Sequence, residues 1–322
     1  MLFKIRANKG NFHSFLMAIS LNLLPNSNIM NSPKGKLIII GGSVDRGSFS
    51  ESPADLQRNL KFFEKGILKR ITVESLKNNL SRFEIITTAS SIPEEVGQEY
   101  IKAFAQLDVK NVGVLHIKTR EEANSPDYLQ RLKNANVVMF TGGDQLRLTS
   151  IFGGTQFHHL LLEKYENEFF VISGTSAGAA ASSNNMIYQG SSHGALLKGE
   201  VKITGGLGFI NNVIIDTHFV QRGRIGRLLY ACASNPINIG IGLGEDTGLL
   251  IVNGNDMEAI GSGLIILVDG TQMRFTNMTD VEMGEPVSIE NLIVHVMSLG
   301  DHFDLKLRKL TIDHYKPKIK IE

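Results

Sequence analysis

The stretch Phe169-Phe170-Val171-Ile172-Ser173-Gly174-Thr175-Ser176-Ala177-Gly178-Ala179-Ala180-Ala181 decides how the rest of the chain is read. Its first half is a short apolar run of the kind that forms a buried strand, and its second half is built from the smallest side chains. Between them lies Gly174-x-Ser176-x-Gly178, a G-x-S-x-G pattern placed where a strand hands over to a helix. A serine on so sharp a turn needs small neighbours, because the backbone must double back on itself. Its hydroxyl then projects from the sheet edge, and the next amide, that of Ala177, is set to stabilise a developing oxyanion. A helix starting there adds a favourable dipole. The five-residue pattern alone is weak evidence; the strand before it and the small-residue run after it make Ser176 a candidate nucleophile rather than a plain tight turn.

Working outward, the same strand-then-glycine grammar recurs. Lys36–Ile40 runs into Gly41-Gly42, and Val137–Phe140 runs, after Thr141, into Gly142-Gly143. Phe83–Thr88 and Val112–Ile117 are further apolar strands, separated by helix-like segments at Glu94–Leu107 and Pro126–Asn134. Such alternation predicts an α/β fold with a mostly parallel central sheet covered on both faces, and places sites at the carboxyl ends of its strands. A second oxyanion donor is therefore expected from the Gly142-Gly143 turn, at Gly143. Val213–Asp216, Ile239–Leu243, Gly248–Val252 and Ala259–Val268 read as later strands, some of them antiparallel.

A serine nucleophile needs a base, and the base an orienting carboxylate. His218 is best placed, in Asp216-Thr217-His218-Phe219 directly after an apolar strand. His116 and His193 are lesser candidates, while His158, His159, His295, His302 and His314 read as surface or packing residues. Asp216, Glu245 and Asp246 all stand at strand ends, and spacing does not rank them for the carboxylate. Immediately beyond His218, Arg222, Arg224 and Arg227 crowd one short stretch. Beside a candidate base they suit a carboxylate-binding rim better than a solvated helix face.

Composition excludes several alternatives. With 33 Lys+Arg against 32 Asp+Glu there is no global field for nucleic acid or an anionic membrane, so neither is an expected partner. One cysteine, Cys232, permits no intrachain disulfide and suits a reducing compartment, so a cytoplasmic location is expected. No zinc motif, P-loop or dinucleotide fingerprint occurs, so neither metal nor cofactor is expected. Lys4, Arg6 and Lys9 precede the apolar window Phe15–Leu24, but Pro25-Asn26-Ser27-Asn28 offers no small-x-small cleavage site. Residues 1–34 are read as a disordered lead-in and residues 35–322 as one domain.

Six ordered blocks together resemble the cyanophycinases, the serine-hydrolase branch of the peptidase E-like family, peptidase family S51. They are GKLIIIGG (35–42), TASSIPEEVG (88–97), FTGGDQLRLT (140–149), GTSAGAAA (174–181), DTHFVQRGRIGRLL (216–229) and IGLGEDTG (241–248). The resemblance implies a flavodoxin-like α/β/α sandwich, a homodimer without a metal, and hydrolysis of cyanophycin, a poly-aspartate backbone bearing arginine on each β-carboxyl, to β-Asp-Arg dipeptides. Carried over by position, it implies Ser176 as nucleophile, His218 as base and Glu245 as third member. It also implies Gln145, Asp216, Thr217, Arg222, Arg224 and Arg227 as substrate-pocket residues. Thr217 stands where many cyanophycinases have Gln, and Gly244 where Asp is usual. Two other readings compete: a general Asp-X or isoaspartyl dipeptidase of the same clan, and a non-catalytic amidotransferase-like binding domain.

Overall fold

A computed structural model describes residues 32–47 and 62–313. Most of the expected lead-in, and His314, lie outside the described residues. In chain order the elements of the first half are β1 (Lys36–Ile40), α1 (Ile67–Glu74), β2 (Phe83–Ile86), α2 (Pro93–Gln106), β3 (Val112–Leu115), α3 (Pro126–Asn134), β4 (Val137–Phe140), α4 (Gln145–Phe152), α5 (Gln156–Asn167), β5 (Val171–Thr175) and the single-turn α6 (Ala177–Ala180). The second half adds β6 (Ser183–Gln189), β7 (Lys202–Gly205), β8 (Ile210–Asp216), α7 (Ile225–Ser234), β9 (Ile239–Leu243), β10 (Thr247–Val252), β11 (Asp256–Gly261), β12 (Ile265–Asp269), and five short strands from β13 (Phe275–Thr276) and β14 (Ile289–Glu290) through β15 (Ile293–Met297) and β16 (His302–Asp304) to β17 (Lys309–Thr311).

Nine strands form one sheet in the order β17-β16-β11-β10-β1-β5-β4-β2-β3. The five strands from β1 to β3 in that order pair in parallel, and β10, β11, β16 and β17 extend the sheet antiparallel from β1. The parallel strands are the continuous apolar runs, as a sheet buried on both faces requires. Alternation along β1 shows the two faces directly. Ile38 and Ile40 pack with Leu68 and Ile71 of α1 and Phe104 of α2. Leu37 and Ile39 face Leu132 of α3, Phe152 of α4 and Leu161 of α5. Each fully buried side chain of this size contributes about 1.5–3 kcal/mol.

The sequence pattern does not show a second, six-stranded sheet, ordered β15-β12-β9-β8-β6-β7. Its Val213, Ile215, Ile239 and Ile241 share the core of Leu37 and Ile39, so this sheet takes part of the place that helices alone would fill. Its other face carries Ile214 and Val268 against Leu228 and Ala231 of α7. Ala259–Val268, read as one strand, is two: β11 belongs to the large sheet and β12 to the small one. Gly261, at φ +90, lets the chain leave one sheet for the other.

The turn after β5 explains its glycines. A Cβ on Gly174 would lie 2.4 Å from the Gly178 carbonyl carbon, and one on Gly178 would lie 2.6 Å from the Phe140 Cβ and 2.7 Å from its carbonyl oxygen. Those are backbone or near-backbone atoms that cannot swing away. The helix that follows is a single turn, so the expected dipole contribution at Ser176 is small. Gly178→Ala should therefore destabilise the protein by about 1–3 kcal/mol or more through overpacking. Gly142→Ala, whose added carbon would meet Ser176 Cβ at 3.4 Å, should stay within about 1 kcal/mol of wild type. Urea unfolding of both variants checks the contrast.

Candidate active site

Three chain segments meet at the carboxyl end of β1. The Ser176 amide donates to the Ile40 carbonyl at 2.9 Å, the His218 amide to Gly41 at 2.8 Å, and the Asp246 amide to Gly42 at 2.9 Å. Three successive carbonyls of one strand end thus hold the backbone of the turn after β5, the turn after β8 and the turn before β10. Gly42 must be glycine: its φ is +113, and a Cβ there would sit 2.3 Å from the His218 ring. Ser43, Ser176, His218 and Asp246 all adopt positive φ, between 44 and 50. Such backbone costs of order 1–3 kcal/mol per residue and persists only where the surroundings over-determine it.

The side chains follow from that frame. Ser176 Oγ lies 2.9 Å from His218 Nε2, and His218 Nδ1 lies 2.7 Å from Glu245 Oε1. A carboxylate can only accept, so Nδ1 carries the proton and Nε2 is left to accept from the serine hydroxyl. Hydrogen bonding to His218 is the largest influence holding the Glu245 carboxyl below its ordinary range, with a smaller contribution from the Ser43 hydroxyl. Asp246 is turned the other way, its carboxylate accepting from the Asp45 amide at 3.1 Å and the Ser262 hydroxyl at 2.7 Å. Of the three carboxylates left open by spacing, Glu245 is the one against the imidazole.

A Cβ on Gly142 would lie 3.9 Å from Ser176 Oγ, so the Gly142-Gly143 turn runs beside the hydroxyl. Gly143 also lines, with Ser176 and His218, a cavity of about 400 Å³. Its far wall is Asp216, Thr217 and the three arginines. Asp216, 2 % exposed, is held 3.1 Å from the Arg224 guanidinium. Arg227 Nε comes within 3.0 Å of Asp216 Oδ2, as an ion pair off the hydrogen-bonding line, and Arg227 Nη2 reaches Oδ1 at 3.3 Å. Burial raises the Asp216 carboxyl above its usual range, opposed by Arg227 and Arg224; burial likewise lowers the Arg227 guanidinium. Arg224 also donates to the Thr217 carbonyl at 2.9 Å and Arg227 to the Gly190 carbonyl at 3.0 Å. These two forks are committed to structure, whereas Arg222 is exposed and forms no ion pair among the described residues. Gln145 begins α4, and its amide nitrogen donates to the Ile187 carbonyl at 3.2 Å and the Tyr188 carbonyl at 3.4 Å, which leaves its own carbonyl oxygen for a ligand.

The other described histidines are not part of this cluster. His116 Nδ1 meets the Thr87 hydroxyl at 2.7 Å and His158 Nε2 the Leu207 carbonyl at 2.7 Å, while His193 occupies the loop after β6. Burial pushes the Cys232 thiol up to about 12, which keeps it protonated and inert. Among the described residues no three His, Cys, Asp or Glu side chains gather as a metal site, and no helix is long and apolar enough to cross a membrane. Ser43 and Gln221 escaped the sequence reading. The first reaches the Glu245 carboxylate, and Oε1 of the second accepts from the Glu245 amide at 3.1 Å. Neither carries a residue-type signal; only the Gly-Gly loop before Ser43 marks the place.

The sequence model of peptidase family S51 matches residues 64–260. A cyanophycinase of Trichormus variabilis is 36 % identical over 224 residues, covering 70 % of this chain and 75 % of its own length. That of Geminocystis herdmanii is 34 % identical over 222 residues, covering 69 % and 82 %. Among solved structures, a peptidase from an acI-B1 Actinobacterium superposes with a TM-score of 0.59 over 85 % of this chain and 98 % of that one; at 19 % identity it speaks for the shared fold.

Removing the buried carboxylate tests how the cavity wall is held. Asp216→Ala leaves two largely buried guanidiniums without a counter-charge and should cost about 3–5 kcal/mol. The burial that raises the Asp216 carboxyl offsets part of this, so a loss toward the lower end is expected by urea unfolding at neutral pH.

Proposed function

The chain belongs to peptidase family S51, and from that premise we propose that this peptidase hydrolyses cyanophycin to β-Asp-Arg dipeptides through Ser176, His218 and Glu245. One observation carries the reading: a serine–imidazole–carboxylate relay with links of 2.9 and 2.7 Å opens onto a cavity walled by arginines. His218 Nε2 takes the Ser176 proton as the hydroxyl attacks the scissile carbonyl. Glu245 keeps the ring oriented and stabilises the imidazolium as it forms. The Ala177 amide and the Gly142-Gly143 turn face the oxygen of the tetrahedral intermediate. His218 then returns the proton to the leaving amine, and water resolves the acyl-enzyme by the same route.

Cyanophycin presents a free α-carboxylate on every arginine branch. Arg224 and Arg227 are neutralised in part by Asp216, so the cavity keeps a net positive charge with Arg222 at its rim. That balance suits an anionic group, and the Gln145 carbonyl gives an amide hydrogen of the substrate something to donate to. A general isoaspartyl dipeptidase has less need of this wall, and a non-catalytic domain has no need of the relay.

Purified protein incubated with cyanophycin should release β-Asp-Arg, detected by mass spectrometry; release of other aspartyl dipeptides with the polymer left intact overturns the assignment. Ser176→Ala and His218→Ala should each lower kcat by several orders of magnitude, and the double variant should be little worse, because the two act as a unit. Glu245→Gln should impair kcat strongly but less completely.

The arginines divide by their contacts. Arg222→Lys should lower kcat/KM by about 10- to 150-fold, equivalent to roughly 1.5–3 kcal/mol for a lost bidentate contact, with Tm unchanged. Arg224→Lys and Arg227→Lys should lower Tm as well, since their forks also hold Asp216.

A further inference from the structure

Ser176 and His218 line a second cavity, of about 220 Å³, whose other walls are entirely different from those of the arginine-walled one. The reacting pair is the sole lining shared by the two, so a chain bound across the serine must place one half in each. The second cavity is formed by Gly42-Ser43-Val44 and Arg46 from the loop after β1, by Val96 and Tyr100 from α2, and by Gly142 and Thr175 beside the serine. None of its described lining residues is an acid. Among them Arg46 carries the one permanent charge, and the guanidinium sits 5.8 Å over the Tyr100 ring, which fixes its direction.

Two features say that this cavity is prepared for an anion. Tyr100 is 3 % exposed and lines the cavity with its ring beneath the Arg46 guanidinium. Its phenol can donate to an acceptor on a ligand bound there. Burial also holds that phenol up at about 12, so it stays a donor at any working pH. Arg46 meanwhile pairs with Glu99, but their side chains are 38 % and 52 % exposed. An exposed pair of that kind contributes about 0–1 kcal/mol and gives way readily to a better-placed carboxylate.

We propose that this smaller cavity is the subsite for the substrate unit on the other side of the scissile bond, and that it receives that unit's carboxylate between the Arg46 guanidinium and the Tyr100 hydroxyl. The inference rests on Ser176 being the nucleophile and deepens the function proposed above: carboxylates are read on both sides of the bond that breaks. Val44 and Val96 supply apolar flanks against which an aliphatic stem can lie. A repeating polymer with one free carboxylate per unit meets both requirements, whereas a dipeptide bearing an uncharged second residue meets one.

The test uses synthetic β-Asp-Arg oligomers with every arginyl carboxylate free, and two analogues in which that carboxylate is amidated on one or the other unit flanking the scissile bond. With wild-type protein each amidation should lower kcat/KM by about 10-fold or more. In Arg46→Gln the KM for the free oligomer should rise about 10-fold with kcat within about twofold, and the penalty for one of the two amidations, and only one, should vanish. Tyr100→Phe, which removes a single oxygen from a buried ring, should reproduce the pattern at about 3-fold to 10-fold with Tm unchanged. Wild-type kinetics in both variants on the free oligomer, or an equal loss on free and amidated substrates alike, overturns the subsite. Absence of wild-type turnover on every oligomer instead overturns the substrate reading itself, so the two failures are distinguishable.

Discussion

The site depends on three successive carbonyls where one strand ends and its loop begins. Ile40, Gly41 and Gly42 hold the amides of Ser176, His218 and Asp246, residues that lie far apart in sequence and arrive from two different sheets. β1 can do this because it is central: β5 runs parallel on one side and delivers Ser176, β10 runs antiparallel on the other and begins just after Glu245 and Asp246, and the small sheet packs over the same edge with β8 delivering His218. A backbone hydrogen bond is worth only about 1 kcal/mol net, yet here each also fixes the origin of a functional side chain. Four non-glycine residues at positive φ in this one place mark where regular structure has been given up to aim side chains inward.

Charge is sorted by the same geometry. Glu245 and Asp246 are adjacent, but their opposite directions give them different tasks: one carboxylate faces an imidazole, the other ties the 45–47 loop and Ser262 together. Asp216, a third carboxylate a short way off, is buried among arginines and serves as the anchor on which the cavity wall is built. The three acids that spacing alone left equivalent are therefore distinguished by what their neighbours offer: a ring nitrogen, backbone and hydroxyl donors, or guanidinium forks.

Much of this was legible from residues. The parallel strands announced themselves as continuous apolar runs, and Gly174-x-Ser176-x-Gly178 announced the turn, because packing there forbids any larger residue. The ends of Pro126–Asn134 and Ile239–Leu243 coincide with the sequence reading, since a Ser125-Pro126 start and flanking polar residues punctuate them. What was not legible is long-range. Ala259–Val268 looks like one strand because apolar residues continue through its break, and nothing local says that its halves join different sheets. Likewise a serine and a glutamine, Ser43 and Gln221, reveal their contact with Glu245 only once three distant loops are brought together. Arg224 and Arg227 were visible as a cluster, but that their forks are spent on Asp216 is a fact of packing.

The relation between those two arginines and the third follows from desolvation. A guanidinium buried as deeply as that of Arg227 cannot stand without a counter-charge, so Asp216 must lie beside it, and the pair loses most of its freedom to respond to a ligand. Arg222, exposed at the mouth, keeps its hydration. A wall of one buried carboxylate and two pinned arginines presents a fixed field, pre-organised before any ligand arrives, while the exposed arginine supplies the adjustable contact. Fixed field behind and adjustable cation in front is an arrangement suited to a ligand that offers a carboxylate. A wall that had to reorganise for each ligand would add that reorganisation to the cost of every binding event.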